Sequence, residues 1–410
     1  MSKYYKRENY LKKIRGFYHE TGLIKVISGV RRCGKSCLME TIEEELIESG
    51  IQQDHIVYLD LDSKQYMNIE KAGQLEKIID EKVNGLDGTV YLFIDEVQNV
   101  QGFEKLLNAY RNENCFSIFI TGSNSYLLSG ELMTKLTGRY IEFEMFPLTF
   151  EEYLGLKEFL HKKISENLTE ELDKYLNEGG FPKTVEFDEL ADKRLYVKNL
   201  VTEIFEKDIK RRVKIRNVSV FQKIQTYIIN NFGSTMSLTN ILKDLKKIGI
   251  EIKRETLNRY IMILKDAKIL YECNRFDLKS RKSIQGEQKY YLSDLSFYFV
   301  TNTDNRINYG PALENIVYTY CASKGYEISI GRIGKLECDF ILRKDLEYSY
   351  VQVTMTIFAS QETENREYRP LESIKDNYKK YILTRNDPIQ IRNGIIHENI
   401  PELMSKGQLL

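Results

Sequence analysis

The chain carries no excess charge of either sign. Its 60 lysines and arginines are matched by 60 aspartates and glutamates, so no global basic field marks it for nucleic acid, and such a partner must be sought in local patches. Metal-ligating residues are sparse and scattered. The six cysteines, at 33, 37, 115, 273, 321 and 338, include no C-x-x-C pair, and only four histidines accompany them, which argues against a structural zinc site. No apolar run reaches the roughly 18 residues of a membrane-spanning helix. The opening residues Met1-Ser2-Lys3-Tyr4-Tyr5-Lys6-Arg7 contain no apolar signal core, so the expected location is the cytosol, with no membrane partner. Tryptophan is absent and 28 tyrosines supply most of the aromatic bulk, a bias that bears on packing rather than on function.

What is present suits ordinary globular cores: 42% hydrophobic and 29% charged residues over 410 positions, enough for two or three domains. The most informative run is Gly29-Val30-Arg31-Arg32-Cys33-Gly34-Lys35-Ser36, a complete G-x-x-x-x-G-K-S loop. The residues before it, 23–28, read as a short buried strand, and those after it, from Cys37 to Glu48, as a helix. This is the strand–loop–helix setting that a phosphate-binding loop requires. Its glycines let several backbone N–H groups point at one anion, and the helix that begins at Lys35 adds the positive end of its dipole. Gly29 through Cys37 are the expected nucleotide contacts. Lys35 reaches the outer phosphates as a point charge, and Ser36 holds Mg²⁺. Arg31 and Arg32 face either phosphate or nearby acids. Cys33 and its thiol lie inside the loop, as an oxidation-sensitive group or simply a small residue.

Val90-Tyr91-Leu92-Phe93-Ile94-Asp95-Glu96 is a nearly continuous apolar run that ends in two acids. It predicts a strand buried on both faces of a parallel sheet, with the acids at its carboxyl end, where ligands bind in such sheets. Asp95 is expected to hold Mg²⁺ through water, and Glu96 to orient and polarise an attacking water. Between the two motifs, residues 55–60 read as another strand, as expected of ATPases with a catalytic glutamate. Beyond them, 117–120 is a further strand followed by Thr121-Gly122-Ser123-Asn124. Ser123 is the first choice as a sensor of the terminal phosphate, with Thr121 and Asn124 close behind; a capped turn entering a helix is the alternative. Arg139, in Leu136-Thr137-Gly138-Arg139-Tyr140, is a candidate for stabilising the transferring phosphoryl group, in cis or from a neighbouring subunit, or else a surface arginine.

The strings GVRRCGKS, LFIDEVQNV, TGSNSYLL, LTGRYIEFEMFPLTFEEYL and NEGGFPKTV, in this order, resemble the prokaryotic AAA-type ATPases of the archaeal and bacterial "ATP-binding protein" group. The resemblance implies an α/β fold with an AAA-like P-loop core, a parallel sheet with flanking helices, and ATP and Mg²⁺ as ligands. It assigns no substrate.

The P-loop domain is expected over residues 1–150 and a helical lid or linker over 151–215. In the linker, Gly179-Gly180-Phe181-Pro182 reads as a hinge. Residues 192–213 form a charged helical stretch that ends in Lys207, Lys210, Arg211, Arg212, Lys214 and Arg216. From 216 to 300, three short helices followed by strands at 269–273 and 289–292 make a winged-helix pattern. In a DNA-binding version Arg254, Asn258 and Arg259 face the major groove, and Lys279, Arg281 and Lys282 of the wing contact phosphates; in the other version the module docks proteins. From 301 to 410, Glu314 on a helix and Asp339 and Gln352 on two hairpin strands resemble the restriction-endonuclease-like class, whose acids place Mg²⁺ beside a scissile phosphate. Thr354 stands where that class carries its lysine, with Lys335 the nearest substitute, so this domain is expected to be a degenerate nuclease fold.

Overall fold

A computed structural model of the chain describes residues 3–122, 136, 138–210, 214–302 and 306–410. Ser123, Asn124, Arg211 and Arg212 lie outside the described residues. The chain divides into two units, Met1–Phe146 with Asp266–Lys268, and Pro147–Lys265 with Ile269–Leu410.

In the first unit α1 (Glu8–Ile14) is followed by β1 (Ile24–Gly29), α2 (Lys35–Glu48), β2 (Ile56–Asp60), α3 (Ala72–Val83), β3 (Val90–Asp95), α4 (Phe103–Asn112), β4 (Phe116–Thr121) and β5 (Tyr140–Met145). The five strands form one parallel sheet in the order β2-β3-β4-β1-β5. Every residue of β1, β3 and β4 is buried, which is why these segments read as unbroken apolar runs rather than alternating ones. The strand inserted between β1 and β3 in space is β4. The strand between them in sequence, β2, lies at the edge.

In-register residues of neighbouring strands build a row across the sheet. Tyr58, Phe93 and Phe119 stack with centroids 6.0 and 4.7 Å apart, and the Lys25 ammonium lies 4.6 Å from the Phe119 ring. Lys25 is fully buried. Its Nζ donates to the Glu20 carbonyl at 2.5 Å and to Ser117 Oγ at 2.9 Å, and burial pulls its pKa down to about 7.

The second unit begins with α5 (Phe150–Phe159), α6 (Leu168–Glu178), α7 (Pro182–Glu186) and α8 (Leu190–Glu203), which runs into a π-helical segment, Ile204–Lys210. Lys207 and Lys210 pair with Glu203 and Glu206 one turn back, so this end of the stretch is locally neutralised. Next come α9 (Val218–Asn230), β6 (Thr235–Met236), α10 (Leu238–Lys247), α11 (Arg254–Asp266), β7 (Leu270–Asp277), β8 (Lys282–Leu292) and α12 (Ser296–Thr301). The remainder is α13 (Tyr309–Ser323), β9 (Glu327–Ile333), β10 (Leu336–Lys344), β11 (Glu347–Thr354), α14 (Gln361–Ser373), β12 (Lys379–Thr384), β13 (Ile396–Asn399) and α15 (Ile400–Ser405).

Two expectations change here. The boundary at residue 300 cuts through a single eight-stranded sheet, ordered β13-β12-β11-β10-β9-β7-β8-β6. The hairpin β7–β8 does not end a separate module: Arg275, Phe276 and Asp277 pair in parallel with Ile330, Gly331 and Arg332 of β9. The far edge of β7, which would otherwise expose unpaired backbone groups, is thereby closed by the carboxyl-terminal strands. Nor is Gly179-Gly180 a loose hinge. Both glycines are buried, the Gly180 carbonyl accepts from the Leu148 N–H at 2.7 Å, and the Gly180 N–H donates to the Asp294 carboxylate at 2.6 Å. A Cβ on Gly180 would run into the Leu148 carbonyl oxygen. The pair serves close backbone approach, and Asp294, pushed up to about 6 by burial, is locked into the same junction by the Ser296 N–H at 2.9 Å.

Two stability predictions follow from these contacts. A lysine whose folded pKa lies near 7, below its unfolded value of ~10.4, destabilises the fold at low pH and ceases to do so as pH rises through that interval. Linkage puts the cost near pH 7 at about 4 kcal/mol, and the two hydrogen bonds return roughly 1 kcal/mol each. Lys25→Met is therefore expected to stabilise the protein by ~2 kcal/mol at pH 7, with the gain shrinking toward pH 10; urea unfolding at both pH values checks this, and a pH-independent gain contradicts it. Gly180→Ala is expected to destabilise by ~1–3 kcal/mol through overpacking, read as a lowered Tm.

Candidate nucleotide site and a buried ion cluster

The loop takes its shape from the end of β1. Gly29 pairs with Met145 on β5, its φ is +140°, and a Cβ there would strike the Met145 carbonyl oxygen and come within 2.8 Å of Cys33 Sγ. Only glycine lets the chain leave the strand this way. A loop that turns its amides inward turns carbonyls outward, and two cations meet them. Arg7, itself buried, donates from Nη1 to the Cys33 and Phe146 carbonyls, both at 2.9 Å. Lys35 Nζ donates to the Gly29 carbonyl at 3.0 Å and the Val30 carbonyl at 3.3 Å. Ser36 and Cys37 are exposed on the first turn of α2. Cys33 is fully buried, and burial pushes its thiol up, which makes it an inert packing residue rather than an oxidation-sensitive one. Nothing in the polar amino-terminal sequence marks Arg7; its role appears only once β5 lies beside β1.

Because β4 is inserted between β1 and β3, Thr121 at its end falls beside both Ile27 and the two acids. The Thr121 hydroxyl donates to Asp95 Oδ1 and accepts from the Glu96 N–H at 3.1 Å. Asp95 is buried. Glu96 adopts a left-handed backbone, φ 56° and ψ 45°, sparsely populated by residues other than glycine and often found at functional sites. Its carboxylate accepts from Gln98 Nε2. Burial pushes its pKa up, against the pull of Lys35 and Arg31. Asp60, level with Asp95 on β2, is also pushed up, first by burial and also by Asp95. Sequence reasoning gave Asp60 no role, although its strand also ends in an acid.

Arg139 is not brought to this site. It precedes β5, whose Tyr140 pairs with Ile24 at the start of β1, and its carbonyl accepts from the Ile24 N–H. The loop leaves the other end of β1, five residues on, or about 17 Å along the strand.

In the second unit Glu314 and Asp339 converge around a lysine the sequence does not indicate, and Gln352 meets Asp339 through the Asp339 backbone N–H at 3.4 Å. Lys289 of β8, 5% exposed, lies 2.9 Å from Glu314, 3.2 Å from Glu337 and 3.8 Å from Asp339. Tyr291 OH donates to Glu314 at 3.0 Å. The Val353 N–H donates to Asp339 Oδ2 at 2.8 Å, and Gln352 Nε2 to Glu367 at 3.0 Å. Burial pulls the Lys289 pKa down, but Glu314, Asp339 and Glu337 outweigh it and hold the ammonium above its ordinary range; Asp339 is pushed well up by burial and by Glu314. The expected stand-in, Lys335, is exposed on the turn between β9 and β10, whereas Lys289 reaches the acids because β8 belongs to the same sheet. Among the described residues no group of His, Cys, Asp and Glu is arranged to hold a metal ion. Arg254, Asn258 and Arg259 are exposed on α11, as are Lys279, Arg281 and Lys282 around the β7–β8 turn.

Residues 21–154 match the AAA domain, and residues 169–304 match a domain of unknown function. An uncharacterized protein of Haemophilus influenzae is 34% identical over 380 residues, 92% of each chain. An uncharacterized protein of Methanocaldococcus jannaschii is 30% identical over 380 residues, covering 89% of this chain and 82% of its own. Among solved structures, a Walker-type ATPase of Pyrococcus abyssi shares the fold with a TM-score of 0.51 and 16% identity, over 73% of this chain and 96% of its own. No helix of the described residues is long and apolar enough to cross a membrane. With a third of its residues identical over nine-tenths of both sequences, this chain belongs to the family of the Haemophilus influenzae protein, and its amino-terminal unit is an AAA domain of the P-loop ATPase fold.

Proposed function

We propose that the chain is a Mg²⁺-dependent ATPase whose nucleotide state is read out by its second unit. The observation that carries this reading is the joining of Asp95 and Glu96 through Thr121 at the carboxyl end of the strands from which the 29–36 loop also leaves. The cradle at Gly29, which a Cβ would fill, and the exposed Ser36 hydroxyl at the start of a helix fit a triphosphate with its metal. Ser36 and Asp95 would hold magnesium, which supplies charge neutralisation across the phosphate oxygens. Lys35 exchanges its carbonyl contacts for the outer phosphates, and the loop amides from Val30 to Cys37 hold the rest. Glu96, with its raised pKa, accepts a proton from a positioned water. Thr121 keeps both acids in register, and Ser123, outside the described residues, stays the first choice as sensor of the terminal phosphate. Arg139, placed at the far end of β5, serves in this reading only across a subunit boundary.

Lys35→Ala is expected to abolish hydrolysis. Glu96→Gln is expected to retain ATP binding while lowering kcat by ~10²–10³-fold, and Thr121→Val to lower it by roughly tenfold. Phosphate release and calorimetric ATP titration measure both quantities; wild-type turnover in Lys35→Ala and Glu96→Gln together removes the reading.

The second reading is an ATP-gated nucleic-acid protein. What favours it is the exposed face of Arg254, Asn258 and Arg259 on the third of three helices, followed by a hairpin with a basic turn, as in winged-helix DNA contact. The acid cluster supports a fold remnant more than a nuclease, because Lys289 already supplies the positive charge that a metal would bring. Gel shifts on duplex DNA across a salt series are expected to show binding weakened by Arg254→Ala and Arg259→Ala, with no cleavage in Mg²⁺ or Mn²⁺. No shift at low salt removes DNA as a partner, and metal-dependent cleavage lost in Asp339→Asn overturns the remnant assignment.

A further inference from the structure

The second unit contains a cavity of ≈ 470 Å³ between the β7–β8 turn and residues 373–378. Its chemistry is two-sided. One part is aromatic: Tyr348 and Tyr378 lie with ring centroids 5.2 Å apart at an interplanar angle of 47°, and Phe276 adds a third ring. Tyr378 is 44% exposed, an arrangement that offers a ring face to a ligand. The other part is cationic. Lys279, Arg281 and Lys375 all line the cavity and all are exposed. Among the described residues none of the three is in an ion pair, and Lys375 donates only to the Glu372 carbonyl, at 3.0 Å. The one acid in the lining, Asp376, is already engaged by Tyr350 OH at 2.6 Å, the Tyr378 N–H at 3.2 Å and Lys380 at 3.5 Å. Asp277, next to the turn, accepts from the Ser280 N–H at 2.6 Å. The charge facing the cavity is therefore positive.

We propose that this cavity binds one nucleotide unit, its base against Tyr348 and Tyr378 and its phosphate against Lys279, Arg281 and Lys375. Aromatic faces beside unpaired cations match the two ends of a nucleotide, and the volume suits one small ligand. A bare inorganic anion would leave the rings without a role. A duplex keeps its bases stacked and away from a concave wall, so the ligand is a free mononucleotide or an unpaired nucleotide of a single strand. The proposal shares the basic β7–β8 turn with the second reading and goes beyond it by placing that turn beside an aromatic cavity; it uses neither the 29–36 loop nor the exposed face of α11.

The test uses the full-length chain carrying Lys35→Ala, so that the loop does not take up nucleotide. A short fluorescent oligothymidylate is titrated by anisotropy at about 50 mM salt, with thymidine monophosphate as competitor. Binding is expected, weakened ~5- to 100-fold by Tyr378→Ala and largely kept by Tyr378→Phe. Lys279→Gln with Arg281→Gln is expected to weaken binding and to reduce the salt slope by about one at most, as for the loss of one phosphate contact on a single strand. Competition by the monophosphate identifies a free nucleotide as a sufficient ligand; displacement only by unlabelled oligonucleotide identifies a unit of a strand; both support the proposal. It is overturned if neither probe binds, or if binding survives Tyr378→Ala and the double glutamine variant but is lost in Arg254→Ala or Arg259→Ala.

Discussion

The Thr121 hydroxyl answers two needs at once. Asp95 ends a strand buried along its whole length, and a carboxylate taken from water requires donors in return. The next residue, Glu96, stands in a left-handed conformation that costs on the order of 1 kcal/mol or more. One side chain donates to the first and accepts from the backbone of the second. It can do so only because β4 is threaded between β1 and β3, with Ile27 level with Thr121 on one side and Ile94 level with Ile120 on the other. The strand order, rather than proximity along the chain, is what brings the loop and the acids to a common edge.

That dependence explains which parts of the molecule were legible in the sequence. β1, β3 and β4 are sandwiched on both faces, so their continuous apolar runs gave the strands to within a residue, and the loop between β1 and α2 carried its own glycine and lysine signature. Asp95 and Glu96 could be placed at a strand end for the same reason. What a one-dimensional pattern lacks is the pairing partner. Arg139 looks like a residue following the core, yet because β5 runs parallel to β1 its start lies at the opposite end of the strands from the loop. Arg7 looks like one more polar residue of the amino terminus, yet it feeds two buried carbonyls. In the second unit the sequence pattern marks only part of each hairpin strand, because β7 and β8 mix buried and half-exposed residues and so lack a clean period. The shared sheet leaves no trace in it either. Gly179-Gly180 carries the composition of a hinge, but the Leu148 backbone packed against it decides otherwise.

The Lys289 cluster shows what the missed sheet does. Three carboxylates within 4 Å of one buried ammonium are tolerable only if the group as a whole is satisfied; removing one member of such a buried set leaves charge uncompensated and is strongly destabilising. Two of the acids sit on β10, one on α13, and the lysine on β8, so the cluster ties the hairpin to the carboxyl-terminal strands by charge as well as by ladder bonds. A domain boundary at residue 300 would divide the acids from their cation. The position of the lysine relative to a nuclease pattern is therefore less informative than its source: it arrives from the segment that would have been assigned to another module.

Lys35 and Arg7 illustrate the reverse side of an anion-binding loop. Amides that converge inward leave carbonyls that diverge, and buried carbonyls need donors as much as amides need acceptors. Arg7 meets this need permanently, since its own burial and its second bond to Phe146 fix it in place. Lys35 meets it on different terms. Its two contacts are to neutral carbonyls at 3.0 and 3.3 Å, and an anionic phosphate oxygen offers the ammonium a charge–charge attraction that a neutral carbonyl lacks. In the proposed function a triphosphate would draw Lys35 from the Gly29 and Val30 carbonyls while Arg7 keeps the back of the loop in shape, so one cation would hold the cradle and the other would follow the ligand.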